Sequence, residues 1–185
     1  MTEENIEVMT EGLRWKPSEG EPSYFNSLSA TSRSVIQLAL SLPGQTRDYV
    51  IYFDNFFSNT RLLSALRFYN IAAAGTARSN SAEYLKEYSL LKKAGNQWKW
   101  GQIESLTVRD VSHICWRDRT LVRFMTTCYT TSESAIVERK RPHGSNAHDR
   151  KEIDRIWAID TKKLVSQPAI AIDYNLYMGG VDIAD

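Results

Sequence analysis

Residues 48–57, which read DYVIYFDNFF, determine how the rest of the chain can be arranged. The first six are almost continuously apolar and rich in β-branched and aromatic side chains, which predicts a short strand buried on both faces of a sheet. The pattern stops at Asp54. In open α/β sheets, functional side chains collect where a buried strand ends, because they reach solvent while their backbone stays anchored. Asp54 is therefore a candidate functional residue; the alternative is an Asx turn in which it caps the next helix.

The segments on either side of this strand predict an α/β core. A Ser/Thr cluster within residues 29–34 predicts the start of a helix with an apolar face, and Pro-Gly at 43–44 ends it. Leucines at helical spacing in residues 60–69 predict a second helix, and the small apolar residues 70–74 predict a further strand. The order helix, strand, helix, strand favours a sheet covered by helices.

After residue 80 the pattern changes. Residues 80–93 begin with the spacing of a capping box, which predicts a helix. From residue 98 to residue 127 the side chains alternate as they do in strands. Within this region, residues 111–116 and 121–128 predict an antiparallel hairpin.

The last third of the chain combines a basic segment with a final helix. Residues 138–151 are polar and basic and contain Pro and Gly, which predicts a loop. Pro168 predicts the start of a helix over residues 169–178. We therefore divide the chain into an acidic, poorly packed N-terminal segment (1–30), the first part of an α/β core (31–80), an insertion domain (81–167) and a core helix carrying the last acidic residues (168–185).

Composition narrows the classes of function. The chain has 23 Lys and Arg and 22 Asp and Glu, so its net charge of +1 excludes a uniformly basic nucleic-acid binder. No apolar run is long enough to cross a bilayer, and the N-terminus carries acids where a signal peptide carries Lys and Arg. Two cysteines cannot form a disulfide framework, and no C-x-x-C spacing predicts zinc. A soluble intracellular protein is expected.

The charge is distributed unevenly, with acidic ends and a basic middle. A basic region that leads to acidic residues suits phosphate binding beside a metal site. The alternative is a solvated surface with local ion pairs. Six basic residues are candidate phosphate contacts: Arg78, Arg139, Lys140, Arg141, Arg150 and Lys151.

Asp182 and Asp185 form a second candidate group of acids. They are three residues apart and share one face if this stretch is helical. Two carboxylates on one turn repel each other unless a cation lies between them, and Mg²⁺ favours one or two carboxylates with waters and phosphates. The alternative is a frayed acidic terminus.

Three motifs, taken together, resemble the piggyBac transposase family. They are YFDNFFS at 52–58, GTARSN at 75–80 and DYNLYMGGVDIAD at 173–185. Residues 116–127 also resemble the hairpin of that family's insertion domain. The motifs are long and stand in the family's order, so the resemblance covers residues 30–185.

The resemblance implies an α/β fold with a ribonuclease H-like core, interrupted by a β-rich insertion domain. It implies that aspartates hold two Mg²⁺ ions for DNA cleavage and strand transfer at TTAA sites. By motif, Asp54 matches the second catalytic aspartate, Asp182 the third and Asp185 a further carboxylate. It also implies DNA as the partner, dimers on paired transposon ends and a nuclear location.

The sequence departs from the family at both ends. The family's first catalytic aspartate lies upstream of the Asp-Asn-Phe-Phe motif, yet residues 1–47 contain no Asp. The family's Cys-rich zinc-binding tail is also absent. We therefore expect a partial chain that does not cleave DNA as it stands. The alternatives are a domesticated DNA-binding or protein-interaction module, and a remnant without a selected role.

Overall fold

The structure is a computed structural model that describes residue 17 and residues 19–44, 49–78, 98–143 and 147–179. The helix predicted at residues 80–93 lies outside this part of the chain. None of the described helices is both long and apolar enough to cross a bilayer.

The first two α-helices begin where the sequence supplies a capping side chain. Helix α1 spans Ala30–Leu40, and the hydroxyl of Ser29 accepts the N–H of its third residue at 3.1 Å. Helix α2 spans Thr60–Phe68, and the side-chain oxygen of Asn59 accepts the N–H of its third residue at 2.8 Å. Each cap satisfies a backbone donor that has no partner within its helix. The two helices that the sequence predicts on either side of the strand at residues 48–53 are therefore confirmed.

A five-stranded mixed sheet lies at the centre of the described fold. Its strands are Val50–Phe53 (β1), Ala72–Thr76 (β2), Ile103–Val108 (β3), Val111–Arg117 (β4) and Leu121–Thr126 (β5). Their order in the sheet is β1-β2-β5-β4-β3. β1 and β2 are parallel and are joined through α2, whereas the other neighbours are antiparallel. The predicted β4–β5 hairpin is confirmed.

β1 is an edge strand in the described part of the sheet. It pairs there with β2 on one side only. Phe53 is its one buried residue, and Val50 is 44% exposed. The prediction that this strand is buried on both faces is confirmed in part, because Ile51 and Tyr52 are half-buried against the cores on the two faces of the sheet.

A separate two-stranded antiparallel sheet follows. It consists of β6 (Ser134–Lys140) and β7 (Lys162–Pro168), and helix α3 (Ala147–Trp157) lies between them along the chain. The loop predicted at residues 138–151 is therefore wrong for the residues in β6 and α3. A strand that is polar in sequence is stabilised here by pairing with a partner more than twenty residues away, which local composition does not reveal.

Helices cover the five-stranded sheet on both faces. On one face, α1 and α2 pack around Ile36 and Leu62, and Phe25 is buried in the same core. The end of the segment 1–30 is therefore packed. On the other face lies helix α4 (Ala169–Tyr177), which begins after Pro168 as predicted and buries Ile170.

The strand pairing bears on the division into domains. Thr76 in β2 pairs with Phe124 in β5, so residues 103–126 continue the sheet that contains residues 50–76. An insertion domain over residues 81–167 stays a prediction.

Candidate active site

The candidate site lies at the edge of the sheet where β1 and β2 end. The strands pair in register from Val50 with Ala72 to Phe53 with Gly75. Because they are parallel, their carboxyl ends meet at the same edge. Asp54 directly follows β1 at this edge and is exposed.

A tight turn holds Asp54 in place. Its carbonyl oxygen accepts the N–H groups of Phe57 at 3.1 Å and Ser58 at 3.2 Å. The hydroxyl of Ser58 donates to the same oxygen at 3.1 Å. The carboxylate accepts the N–H of Asn55 at 2.5 Å. Because Asn59 caps α2, the carboxylate of Asp54 does not serve as that helix cap.

This turn rests on the backbone of Gly75. A β-carbon at that position would overlap the hydroxyl oxygen of Ser58 and would lie 2.8 Å from the carbonyl oxygen of Phe53. Both separations are shorter than ordinary non-bonded contacts. The missing side chain of Gly75 therefore lets the end of β1 and its turn sit directly against β2.

Arg78 reaches the same turn from the end of β2. Its Nε donates a hydrogen bond to the side-chain oxygen of Asn55. The sequence left open whether Arg78 forms a surface ion pair with an acid, and in the structure its partner is an amide. The exposed guanidinium is therefore bound to the residue that directly follows Asp54 in the chain.

Helix α4 covers the end of β2 from the other face of the sheet. The hydroxyls of Tyr174 and Thr76 form a hydrogen bond of 3.2 Å, and the ring of Tyr174 packs edge-on against Phe124. Burial raises the pKa of the Tyr174 hydroxyl, the bond to Thr76 opposes that rise, and the charge of Asp54 adds to it. The helix is thereby fixed at the edge that carries Asp54.

A second set of hydrogen bonds joins α4 to β1. The hydroxyl of Tyr129 donates to the carboxylate of Asp173 at 2.7 Å and bonds to the hydroxyl of Tyr52 at 2.5 Å. The ring of Tyr177 stacks on that of Tyr52, with centroids 5.2 Å apart. Burial raises the pKa of the Tyr129 hydroxyl, and its bonds to Tyr52 and Asp173 act in the same direction. These contacts orient the helix that leads towards residue 182.

The other predicted acids, Asp182 and Asp185, lie outside the described residues. Within the described part of the chain, no group of three or more His, Cys, Asp or Glu could hold a metal ion. One oxygen of Asp54 already accepts the N–H of Asn55, which leaves the second oxygen as a ligand. One carboxylate fits the needs of Mg²⁺, which takes one or two carboxylates and completes its shell with water and phosphate.

The basic residues predicted to contact phosphate fall into two groups. Arg139 donates two hydrogen bonds to Asp118, at 2.6 and 3.0 Å, and Arg141 pairs with Asp154. These two arginines already hold parts of the protein together. The other three in this region, Lys140, Arg150 and Lys151, are exposed. A role in DNA binding stays a prediction for all of them.

The sheet topology adds a basic residue that the sequence reasoning missed. β5 runs antiparallel to β2, so the turn between β4 and β5 lies at the edge that also carries Asp54. Arg119 is in this turn and is exposed. The predicted hairpin already indicated that Arg119 lies in a turn. The edge of the sheet at which this turn lies depends on the pairing of β5 with β2, and these strands are distant in sequence.

Comparisons with known proteins agree with this architecture. A model of the transposase IS4 family matches residues 5–185. A chain in the cryo-EM structure of a piggyBac transposase synaptic complex with hairpin DNA superimposes with a TM-score of 0.54 and is 18% identical. That match covers 91% of this chain and 29% of the other. No curated protein matches the chain.

The structural match concerns the fold. It confirms the predicted α/β class, with a mixed sheet and helices as in a ribonuclease H-like core, and it confirms the resemblance to the piggyBac transposases at that level. The chain spans less than a third of the length of the solved chain that it matches.

Proposed function

Since the chain belongs to the transposase IS4 family, we propose that it forms part of the catalytic centre of a DNA transposase. The observation that carries the proposal is the exposed carboxylate of Asp54 at the edge where two parallel strands end, in a turn whose next residue, Asn55, binds the guanidinium of Arg78. This pair suits phosphodiester chemistry, because a guanidinium binds phosphate and a carboxylate holds a hard divalent metal.

Three carboxylates act together in this proposal: Asp54, Asp182 and Asp185. Bound Mg²⁺ ions would activate the nucleophile and stabilise the leaving oxygen. Asp54 offers one oxygen as a metal ligand while its other oxygen is held by the N–H of Asn55. Arg78 binds the phosphate of the substrate, and the side chain of Asn55 orients its guanidinium.

The proposed substrate is DNA cut at TTAA sites, and the proposed location is the nucleus. The fold match supports the choice of DNA, because the matched piggyBac transposase is held in a synaptic complex with hairpin DNA. A synaptic arrangement also supports self-association, and we propose a homodimer on paired DNA ends. Arg78, Lys140, Arg150 and Lys151 are the proposed phosphate contacts, and Arg119 joins them.

We further propose that the 185-residue chain does not cleave DNA by itself. Residues 1–47 contain no aspartate, so the family's first catalytic carboxylate has no counterpart there. A plasmid-nicking assay with Mg²⁺ or Mn²⁺ is expected to show no cleavage. Nicking by the wild-type chain that disappears in Asp182→Asn would overturn this point.

DNA binding is the direct test of the function. We expect the wild-type chain to bind DNA with an affinity that falls steeply as salt rises, because phosphate contacts release counterions. Arg78→Gln should weaken binding and lower the slope of log affinity against log salt by about 1. The control is Arg67→Gln. Arg67 is also exposed, and its guanidinium also donates a hydrogen bond, in this case to the backbone oxygen of Thr127. It lies at the far end of α2 from Asp54.

The second candidate function is a DNA-binding module without catalysis. The exposed bases Lys140, Arg150 and Lys151, outside the candidate active site, favour it. In that case replacing these three by Gln should weaken DNA binding, whereas Arg78→Gln should not. If the wild-type chain binds no DNA at low salt, both functions are wrong.

A further inference from the structure

Phe56 is the most exposed aromatic ring at the candidate active site. Its side chain is 67% exposed, although it lies between two nearly buried residues, Phe53 and Ser58. The turn explains this position, since the carbonyl oxygen of Asp54 accepts the N–H groups of Phe57 and Ser58 and the chain bulges outward between them. The exposure is therefore built into the turn that holds Asp54.

The ring of Phe56 is supported from one side. It packs edge-to-face against Phe57, with centroids 5.1 Å apart and an angle of 86° between the rings. Phe57 in turn lines an apolar groove together with Val35 and Leu38 of α1. Such aromatic contacts favour a defined ring orientation. Phe56 is thus an exposed ring whose position is favoured by its contact with Phe57.

Phe56 follows directly after Asp54 and Asn55 in the chain. Asp54 presents a carboxylate, and Asn55 holds the guanidinium of Arg78 through its side-chain oxygen. Within one turn the surface therefore offers a metal ligand, a cation and an aromatic ring. A nucleotide carries the complementary groups, because its phosphate binds the cation and the metal while its base stacks on the ring.

We infer that Phe56 is a stacking surface for an unpaired DNA base next to the phosphate that Arg78 binds. This inference rests on the proposed function. An unpaired base is required, because bases inside a duplex already stack on their neighbours. A nucleotide is the partner that the charged neighbours favour, since the carboxylate of Asp54 and the guanidinium bound by Asn55 lie in or against the same turn as the ring.

The test is binding of single-stranded DNA that carries the fluorescent base 2-aminopurine. We expect the wild-type chain to change the fluorescence of that base on binding, because stacking alters its surroundings. Phe56→Leu keeps an apolar side chain but removes the ring. It should weaken binding by about 5- to 150-fold, the range for loss of one base–aromatic stack, and should abolish the fluorescence change. Phe56→Trp should bind at least as tightly as the wild-type chain.

The matched control is Phe68→Leu. Phe68 is 49% exposed and packs edge-to-face on Tyr69, but it lies at the other end of α2, away from Asp54. It should leave DNA affinity and the fluorescence signal unchanged. Circular dichroism shows whether each variant is folded. If Phe56→Leu is unfolded, Phe56→Trp becomes the test of the stacking role. Weaker DNA binding by Phe56→Trp than by the wild-type chain then overturns the inference.

The outcomes separate this inference from the function on which it rests. Salt-dependent DNA binding that Phe56→Leu leaves unchanged would overturn the stacking role and leave the proposed function standing. An equal loss of affinity in Phe56→Leu and Phe68→Leu would also count against it. If the wild-type chain binds neither single-stranded nor duplex DNA, the proposed function fails and the stacking role fails with it.

Discussion

Gly75 is the single residue on which the geometry at Asp54 depends most directly. A β-carbon there would overlap the hydroxyl oxygen of Ser58 and lie 2.8 Å from the backbone oxygen of Phe53. We expect Gly75→Ala to lower the free energy of unfolding by about 1–3 kcal/mol, the usual cost of overpacking a close contact. Urea unfolding measures this change.

The control for Gly75 is Gly179→Ala. Among the described residues, no atom beyond its chain neighbours and its own helix lies within 4 Å of the position that its β-carbon would take, so that substitution should be neutral or slightly stabilising. Adding Ser58→Ala to Gly75→Ala should restore only part of the stability, because the oxygen of Phe53 belongs to the backbone and stays. Complete recovery would mean that the close approach of the two strands is not what requires glycine.

His113 links stability to pH. It is fully buried in β4, its Nε2 lies 3.3 Å from the hydroxyl of Thr60, and burial lowers its pKa from 6.5 to about 4. Because the pKa is lower in the folded state, the unfolded chain binds more protons at acidic pH. Stability should therefore fall as pH drops from about 6.5 to about 4, with a total loss of about 3 kcal/mol from this residue.

Urea unfolding across that pH range tests the role of His113. His113→Gln keeps a polar group near Thr60 but does not titrate, so its free energy of unfolding should change less with pH than that of the wild-type chain. The control variant is His143→Gln, because His143 is exposed and lies outside the core. Identical pH dependence in wild type and His113→Gln would show that other groups dominate.

For single residues, the sequence predicts which side chains are functional candidates better than it predicts which residues they contact. Asp54 was found from its position at the end of a predicted strand and Arg78 as one of six basic candidates, and in the structure Arg78 bonds to the turn that follows Asp54. The part played by Tyr174 was not found, because its partner Thr76 is 98 residues away in the chain. No local pattern carries that information.

Asn59 determines where helix α2 begins. Its side-chain oxygen accepts the N–H of Leu62, while its amide nitrogen donates to the hydroxyl of Ser32 and the carbonyl oxygen of Phe57. Asn59→Ala should lower the free energy of unfolding by about 1–2 kcal/mol, the range for a lost N-cap. Asn59→Asp keeps the acceptor and loses the two donated bonds, so it should cost less. An equal cost in urea unfolding would mean that the cap is not the main contribution.

Elements were predictable where their signal was local. The leucine spacing of α2 and the alternation of β4 and β5 lie within single short segments, and all three elements were found. β6 and α3 were missed because residues 138–151, which include part of each element, are polar and basic. Their stabilisation comes from pairing with β7 and from the buried side chains of Ile153 and Trp157, which appear only when distant segments meet.

At the scale of the described molecule, α4 connects the candidate site to two neighbouring strands of the sheet, β1 and β2. It packs against β2 through Tyr174 and against β1 through the hydrogen bonds of Asp173 and Tyr129. We propose a catalytic role for residues that follow α4 in the chain, among them Asp182. The orientation of α4 determines in which direction the chain leaves towards them.

Coupling between Tyr129 and Asp173 measures how firmly α4 is held. Tyr129→Phe removes the hydroxyl that bonds to both Asp173 and Tyr52, and Asp173→Asn replaces the charged acceptor by an amide. We expect each single variant to lower the free energy of unfolding by about 1–3 kcal/mol, with the double variant less destabilised than the sum by about 1 kcal/mol or more. Tyr69→Phe, on the opposite face of the sheet, should be additive with Asp173→Asn.

The same variants connect stability to DNA binding. If α4 positions the acids that follow it, Tyr129→Phe should weaken Mg²⁺-dependent DNA binding at temperatures where the protein is still folded, because Asp54 and the acids after α4 would no longer be held together. Tyr69→Phe should not have this effect. Binding without Mg²⁺ depends on the exposed bases and should be equal in both variants. A uniform loss in both conditions would mean that α4 affects the fold as a whole and not the arrangement of the acids.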